Sequence, residues 1–181
     1  MSDTIRIAGA DDVPALYALL QQAYAPLVQQ GVHFTITRSP LGLVADTVAS
    51  QTSFVLEREN AAGERVLAAT ATVRFPWTPA PQRRSSSPFL HWFAVAPAFK
   101  RQGLGNRLLD HVESRFLGEQ LKAGALHLAT AVEHPWLPRY YEARGYRPFD
   151  RSVNALGTPL VWLEKNLGTA GQDSAQATQA A

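Results

Sequence analysis

Lys100, Arg101, Gly103 and Gly105 fall in the run FAVAPAFKRQGLGNRLL, residues 93–109. Their types and spacing suit the binding of a diphosphate. Glycine lets a backbone approach a ligand closely and turn successive N–H groups towards it. A helix that starts there adds its positive dipole end and its unpaired first-turn amides. Lys100 and Arg101 bring full positive charge to the mouth of the loop. No G-K-[ST] follows the glycines, so this is not a Walker A loop. The third glycine and the downstream ribose-binding acid of the dinucleotide fingerprint are also missing. The expected phosphate-contacting residues are therefore Lys100, Arg101, Gln102, Gly103, Leu104, Gly105 and Asn106.

Such a loop needs a strand before it and a helix after it. Phe89–Val95 is nearly all apolar and reads as a central strand. Alternation with period two predicts Phe89, His91, Phe93 and Val95 on one face, with Trp92 on the other. Leu104, Leu108, Leu109, Val112 and Phe116 give the following helix its buried stripe. Upstream, Thr4–Ala8 reads as a short strand and Asp11 as a helix cap. Val13, Leu16, Tyr17, Leu20 and Tyr24 then share one helical face, and Pro14 is tolerated in the first turn. Residues 25–38 show no decisive pattern. Ser39 and Pro40 mark the start of a second helix with Leu41, Val44, Ala45 and Val48 buried. Phe54–Glu57 and Val66–Phe75 read as antiparallel strands joined by a turn at Gly63. Downstream come a strand at Ala125–Val132, a short helix closed by Gly145, and strands at Tyr146–Phe149 and Leu160–Glu164.

The remaining segments are polar. Residues 76–88, PWTPAPQRRSSSP, form a long loop of the kind that is usually functional or mobile. Its Arg83 and Arg84 could meet an acidic acceptor, although a solvated pair is the simpler reading. Trp77, Trp92 and Trp136 could line an aromatic acceptor pocket. Residues 168–181 contain no large apolar side chain and are expected to be disordered, leaving one domain at 1–167.

Bulk numbers exclude several classes. The 181-residue chain is 46% hydrophobic, enough for a real core, and its net charge of +2 does not suggest a nucleic-acid surface. With no cysteine there is no disulfide, zinc–thiolate site or cysteine acyl-enzyme. The polar N-terminus is unlike a secretory signal, and no apolar run reaches the roughly 20 residues of a membrane span. A cytoplasmic protein without membrane or nucleic-acid partners is expected.

The contiguous V-x-P-x-x-[KR]-[KR]-x-G-[LIV]-G run closely resembles the acyl-CoA pyrophosphate loop of the GCN5-related N-acetyltransferase (GNAT) superfamily. The element order β-α-α-β-β-β-α-β-α-β-β is similar to the fold of that family. The resemblance implies an α/β protein, a mixed central sheet flanked by helices, and acetyl transfer from acetyl-CoA to an amine in a ternary complex, without a metal. In RYYEARGY, counting back from Gly145 puts Tyr141 at the family's tyrosine, whose phenol protonates the departing thiolate; the alternative is a tyrosine that only packs on the donor. The segment LHWFAVAPAFKRQGLG resembles the arylalkylamine N-acetyltransferases, which place a histidine at the position of His91. As a base with a pKa near 6.5, His91 would give an acidic limb at about pH 6–8; its alternative is a core histidine. The resemblance also implies a bulged strand whose backbone at Phe93, Ala94 and Val95 binds pantetheine. His134 stands where many members carry an asparagine that bonds the pantetheine arm.

The acceptor is not written in these motifs. A small-molecule or peptide amine is expected. Protein N-termini or lysines are an alternative, and so is a non-catalytic acyl-CoA sensor. A homodimer is compatible with the sequence.

Overall fold

The structure, a computed structural model, describes residues 3–79 and 86–168. Arg83, Arg84 and the expected tail from residue 169 onward lie outside the described residues.

Seven strands form one mixed sheet in the order β1-β2-β3-β4-β5-β7-β6. The strands are β1 (Thr4–Ile7), β2 (Thr52–Glu59), β3 (Arg65–Arg74), β4 (Phe89–Val95), β5 (Ala125–Ala131), β6 (Arg147–Val153) and β7 (Pro159–Asn166). The helices are α1 (Val13–Gln29), α2 (Leu41–Ser50), α3 (Leu104–Asp110) and α4 (Leu137–Ala143). Beyond Asp110 the α3 chain continues as a wider π-helical segment, His111–Gln120. No helix among the described residues is long and apolar enough to cross a membrane.

Two cores sandwich the sheet. On one face Leu104, Leu108 and Leu109 of α3 and Tyr141 of α4 pack on Phe54, Leu56, Ala69, Ala71 and Leu90. On the other, Leu16, Leu19 and Leu20 of α1 and Val44 of α2 pack on Val55, Ala94 and Ala96. Burying each such leucine stabilises the fold by roughly 1.5–3 kcal/mol.

Local details depart from expectation. Asp11 is exposed; it is Asp12 that accepts the Gly9 N–H at 2.8 Å and pairs with Arg6. Ser39 does not cap α2, because its hydroxyl donates back to Thr35 O at 2.8 Å. Helix α1 runs through Pro26 to Gln29, so part of the patternless stretch 25–38 is helical. Gly145, at φ +90°, closes α4 as expected.

Two features of β4 position the site. Its parallel ladder with β5 has only two rungs, Phe89↔His127 and Leu90↔Leu128, after which the strands part. On the other side, Thr72 pairs with His91 and Thr70 with Ala94, so Ala71 alone stands opposite Trp92 and Phe93. This is a β-bulge, and Trp92 takes φ +51° to make it.

A buried carboxylate fastens the far side. Glu113 is 2% exposed, accepts the Tyr146 hydroxyl at 2.8 Å, and pairs with Arg144 at 2.9 Å and Lys165 at 2.5 Å. It thereby ties the α3 extension to the end of α4 and to β7. Removing one partner of a buried ion pair typically costs about 3–5 kcal/mol. Glu113→Ala should therefore lower the unfolding free energy by about that amount in urea titration, with Glu113→Gln losing less because it keeps an acceptor for Tyr146.

Candidate active site

The glycine loop turns sharply out of β4. After a 3-10 turn at Pro97–Phe99, Arg101 takes φ +61° and Gly103 φ +77° before α3 begins. The first helical bond closes at Arg107, whose N–H donates to Gly103 O at 3.1 Å. The amides of Leu104, Gly105 and Asn106 lie above that bond at the start of the helix, where they have no intrahelical acceptor.

The two glycines do different work. A Cβ on Gly103 would meet nothing within 4 Å, so its need is the left-handed backbone, and the space above it is open. A Cβ on Gly105 would lie 3.0 Å from Phe93 Cζ and 3.3 Å from Val95 Cγ2. Gly105 therefore lets α3 press onto β4, rather than clearing room for a ligand.

Ion pairs and side-chain bonds anchor the loop from below. Arg58 pairs with Asp3 at 2.6 Å and donates to Gln102 Oε1 at 2.6 Å, while Arg107 reaches the same Asp3 at 2.5 Å. Asn106 Oδ1 accepts the Tyr140 hydroxyl at 2.6 Å. With these side chains engaged, Gln102 and Asn106 have their backbones to offer a ligand. Lys100 and Arg101 are exposed and form no ion pair among the described residues.

The bulge divides the predicted site between the two faces of the sheet. Phe93 and Val95 pack into the α3–α4 core, whereas Trp92 packs with α1 and α2. His91 stands opposite Thr72, whose hydroxyl meets Ser53, and its Nε2 lies 2.7 Å from Gln51 Oε1 just after α2. The expectation that His91, Phe93 and Val95 share a face is thus corrected, because the extra residue reverses the alternation.

Tyr141 is 4% exposed and lies on the Phe93 side, with ring centroids 6.3 Å apart. From α1, the Tyr24 hydroxyl donates to Phe93 O at 3.4 Å, so a phenol from each helical layer approaches the bulge. Tyr24 and Gln51 are functional candidates that sequence reasoning missed. Tyr24 shows only as one more apolar-face residue, and Gln51 carries no local signal.

A family model for the acetyltransferase (GNAT) family matches residues 14–146. The chain belongs to that family. It is 38% identical over 154 residues to the S-alkylcysteine N-acetyltransferase of Bacillus subtilis (strain 168), covering 82% of each chain. It is 32% identical over 167 residues to the S-(2-succino)cysteine N-acetyltransferase of the same organism, covering 92% of this chain and 98% of that one. Among solved structures, the ribosomal-protein-S18-alanine N-acetyltransferase from Escherichia coli superposes with TM-score 0.66 at 21% identity, over 95% of this chain and 98% of that one. A GNAT acetyltransferase from Elizabethkingia anophelis with acetyl-CoA bound gives 0.63 at 18%, over 91% and 97%. Both share the fold. The protein is an acyl-CoA-dependent N-acetyltransferase.

The titratable groups of the acetyltransferase are tuned by burial. Burial pushes His91 down to about 3, with the charge of Arg74 adding to the effect. His134 is pushed down to about 4, first by burial and then by Lys100. Its Nδ1 accepts the N–H of Leu137 at 3.1 Å and more loosely that of Trp136 at 3.5 Å. A neutral imidazole that accepts at Nδ1 carries its proton on Nε2. His134 therefore caps α4 while presenting an N–H donor. Burial also drives the Tyr141 phenol well above its usual value, aided by Tyr24, Tyr140 and Glu113, so it keeps its proton.

The expected aromatic pocket does not assemble. Trp77 stacks on Phe75, Trp92 lies under α1, and Trp136 sits against His134 and Tyr140.

His91 and His134 bear on acid stability. Their folded pKa values lie below the unfolded value near 6.5, so the unfolded chain binds more protons as pH falls. The stability they protect is present above about pH 6.5 and is lost as pH drops towards 4 and 3. His91→Gln should therefore flatten the decline in unfolding free energy between pH 6.5 and 4, as read by denaturant titration at each pH.

Proposed function

We propose that this acetyltransferase moves the acetyl group of acetyl-CoA onto the α-amine of an S-substituted cysteine, in one step with both substrates bound. The observation that carries the acceptor is that both curated relatives, at 38% and 32% identity, are named for S-substituted cysteines. The His91 face supports it. Arg74 holds its guanidinium 4.8 Å from the Phe89 ring centroid and is close enough to depress His91, so this face carries positive charge on the side from which a carboxylate would approach. Phe89 and Trp162, with centroids 5.2 Å apart, offer an apolar wall for the S-substituent.

Donor binding uses the open space over Gly103, the amides of Leu104, Gly105 and Asn106, and the charges of Lys100 and Arg101. The thioester arm runs into the gap between β4 and β5, where the bulged backbone at Phe93–Val95 and the Nε2–H of His134 meet it. The donor supplies an activated acetyl carbonyl. The amine lone pair attacks that carbon, the amide bond forms, and the C–S bond breaks. The α-amine of an amino acid loses its proton more readily than a lysine-type amine of pKa about 10.4, so a fraction is free at neutral pH and no strong base is required. His91, neutral and bonded to Gln51 through one nitrogen, takes the proton shed by the attacked amine on the other, directly or through water. Tyr141 passes its phenolic proton to the leaving thiolate. The dry setting that raises the phenol raises the thiolate as well, which keeps the two matched. With His91 held neutral far below pH 6, the acidic limb of the rate profile reports the acceptor amine.

The acceptor is tested by free-CoA release with S-substituted cysteines, their decarboxylated amines and alanine-initiated peptides. S-substituted cysteines should exceed both other classes in kcat/KM by tenfold or more. Preference for the peptides would move the assignment to protein N-termini, and equal use of the decarboxylated amines would remove the carboxylate contact. Loss of a general acid typically costs about 10²–10⁴ in rate. Tyr141→Phe should show that loss in kcat while keeping CoA affinity by calorimetry; unchanged kcat would leave Tyr141 a packing residue.

A further inference from the structure

Trp136 is unaccounted for by acetyl transfer and unusual as a surface residue. Its indole is 53% exposed at the start of α4. It is not loosely placed. Its ring meets His134 edge-on at 5.2 Å and Tyr140 edge-on at 5.8 Å. Both neighbours belong to the rim of the glycine loop. His134 lies within the electrostatic reach of Lys100, and Tyr140 donates to Asn106 in the first turn of α3 at 2.6 Å. The backbone beneath the indole is fixed by the His134 cap and by Pro138 in the first turn of α4. The result is a pre-positioned aromatic surface, open to solvent, on the α4 side of the diphosphate socket.

The chemistry of the donor says what such a surface would hold. A diphosphate over Gly103 divides the donor into two arms. The thioester arm must run to the β4–β5 gap beside Tyr141, so the nucleoside arm must leave on the outer side of the loop. Its adenine is a flat π-system, and base–aromatic stacking contributes about 1–3 kcal/mol. Arg139 is exposed three residues on from Trp136, on the neighbouring turn of the same helix surface. It offers a cation to the phosphate carried by the ribose.

We propose that Trp136 is the adenine platform of the donor site, with Arg139 beside it for the ribose 3′-phosphate. This rests on the reading of acetyl-CoA as donor. It predicts that the two residues act on the nucleoside half of the donor alone.

The test is calorimetry on the full chain with CoA, dephospho-CoA and 4′-phosphopantetheine. Trp136→Ala should weaken CoA at least tenfold, about 1.4 kcal/mol, and leave 4′-phosphopantetheine within twofold of wild type. Trp136→Phe, which keeps a stacking ring, should recover most of the loss. Arg139→Ala should weaken CoA but not dephospho-CoA. Unchanged CoA affinity in Trp136→Ala, or equal loss for CoA and 4′-phosphopantetheine, would overturn the platform while leaving the donor reading intact. Failure of the wild-type chain to bind CoA at all would overturn both.

Discussion

One extra residue in β4 organises this molecule. Because Trp92 and Phe93 together face Ala71, the alternation of side chains reverses in mid-strand. His91 keeps company with α2, and Phe93 and Val95 turn to α3 and α4. The adjacent loss of the β5 ladder after Leu90 then opens the sheet beside the reversal. The donor thioester proposed to lie in that gap would then meet His91 and Tyr24 from one layer and Tyr141 from the other. The left-handed conformation at Trp92 costs about 1–2 kcal/mol, and burial of its indole among the α1 and α2 side chains offsets it.

The second requirement is that α3 and α4 keep a fixed distance from β4. Gly105 sets the first contact by removing the side chain that would push α3 off Phe93 and Val95. Glu113 sets the second. Its carboxylate gathers Tyr146, Arg144 and Lys165, and Tyr146 in turn packs edge-on against Tyr141 at 5.4 Å. The tyrosine opposite the bulge is thereby held by a buried ionic cluster with no direct part in the chemistry. Such clusters are costly to assemble and strongly directional, which suits the proton-donor role proposed for Tyr141.

Much of this was legible in the residues. The glycine loop, its strand and its helix read directly, because glycine spacing and apolar periodicity are local signals. The resemblance of RYYEARGY to the family's run singles out Tyr141, and the helix stop at Gly145 reads from the residue type alone. The bulge was legible only through the family resemblance: FLHWFAV alternates plausibly from end to end, and the partner strand's register places the slip at Trp92 and Phe93. The distinct duties of Gly103 and Gly105 were hidden for the same reason, since one depends on φ and the other on what lies across the helix–sheet interface. Nothing local in the sequence singles out Glu113, because its three partners come from residues 144, 146 and 165. The pKa of His91 was similarly invisible, since burial and Arg74 are tertiary facts.

The division of labour across the sheet is the centre of this account. A crystal structure of the chain with CoA and an N-acetylated S-substituted cysteine would test it most directly. The CoA sulfur is expected beside Tyr141 on the α3–α4 side of the bulge, and the product amide nitrogen beside His91 on the α1–α2 side. Both ligands entering from the same face of β4, or an amide nitrogen remote from His91, would contradict it.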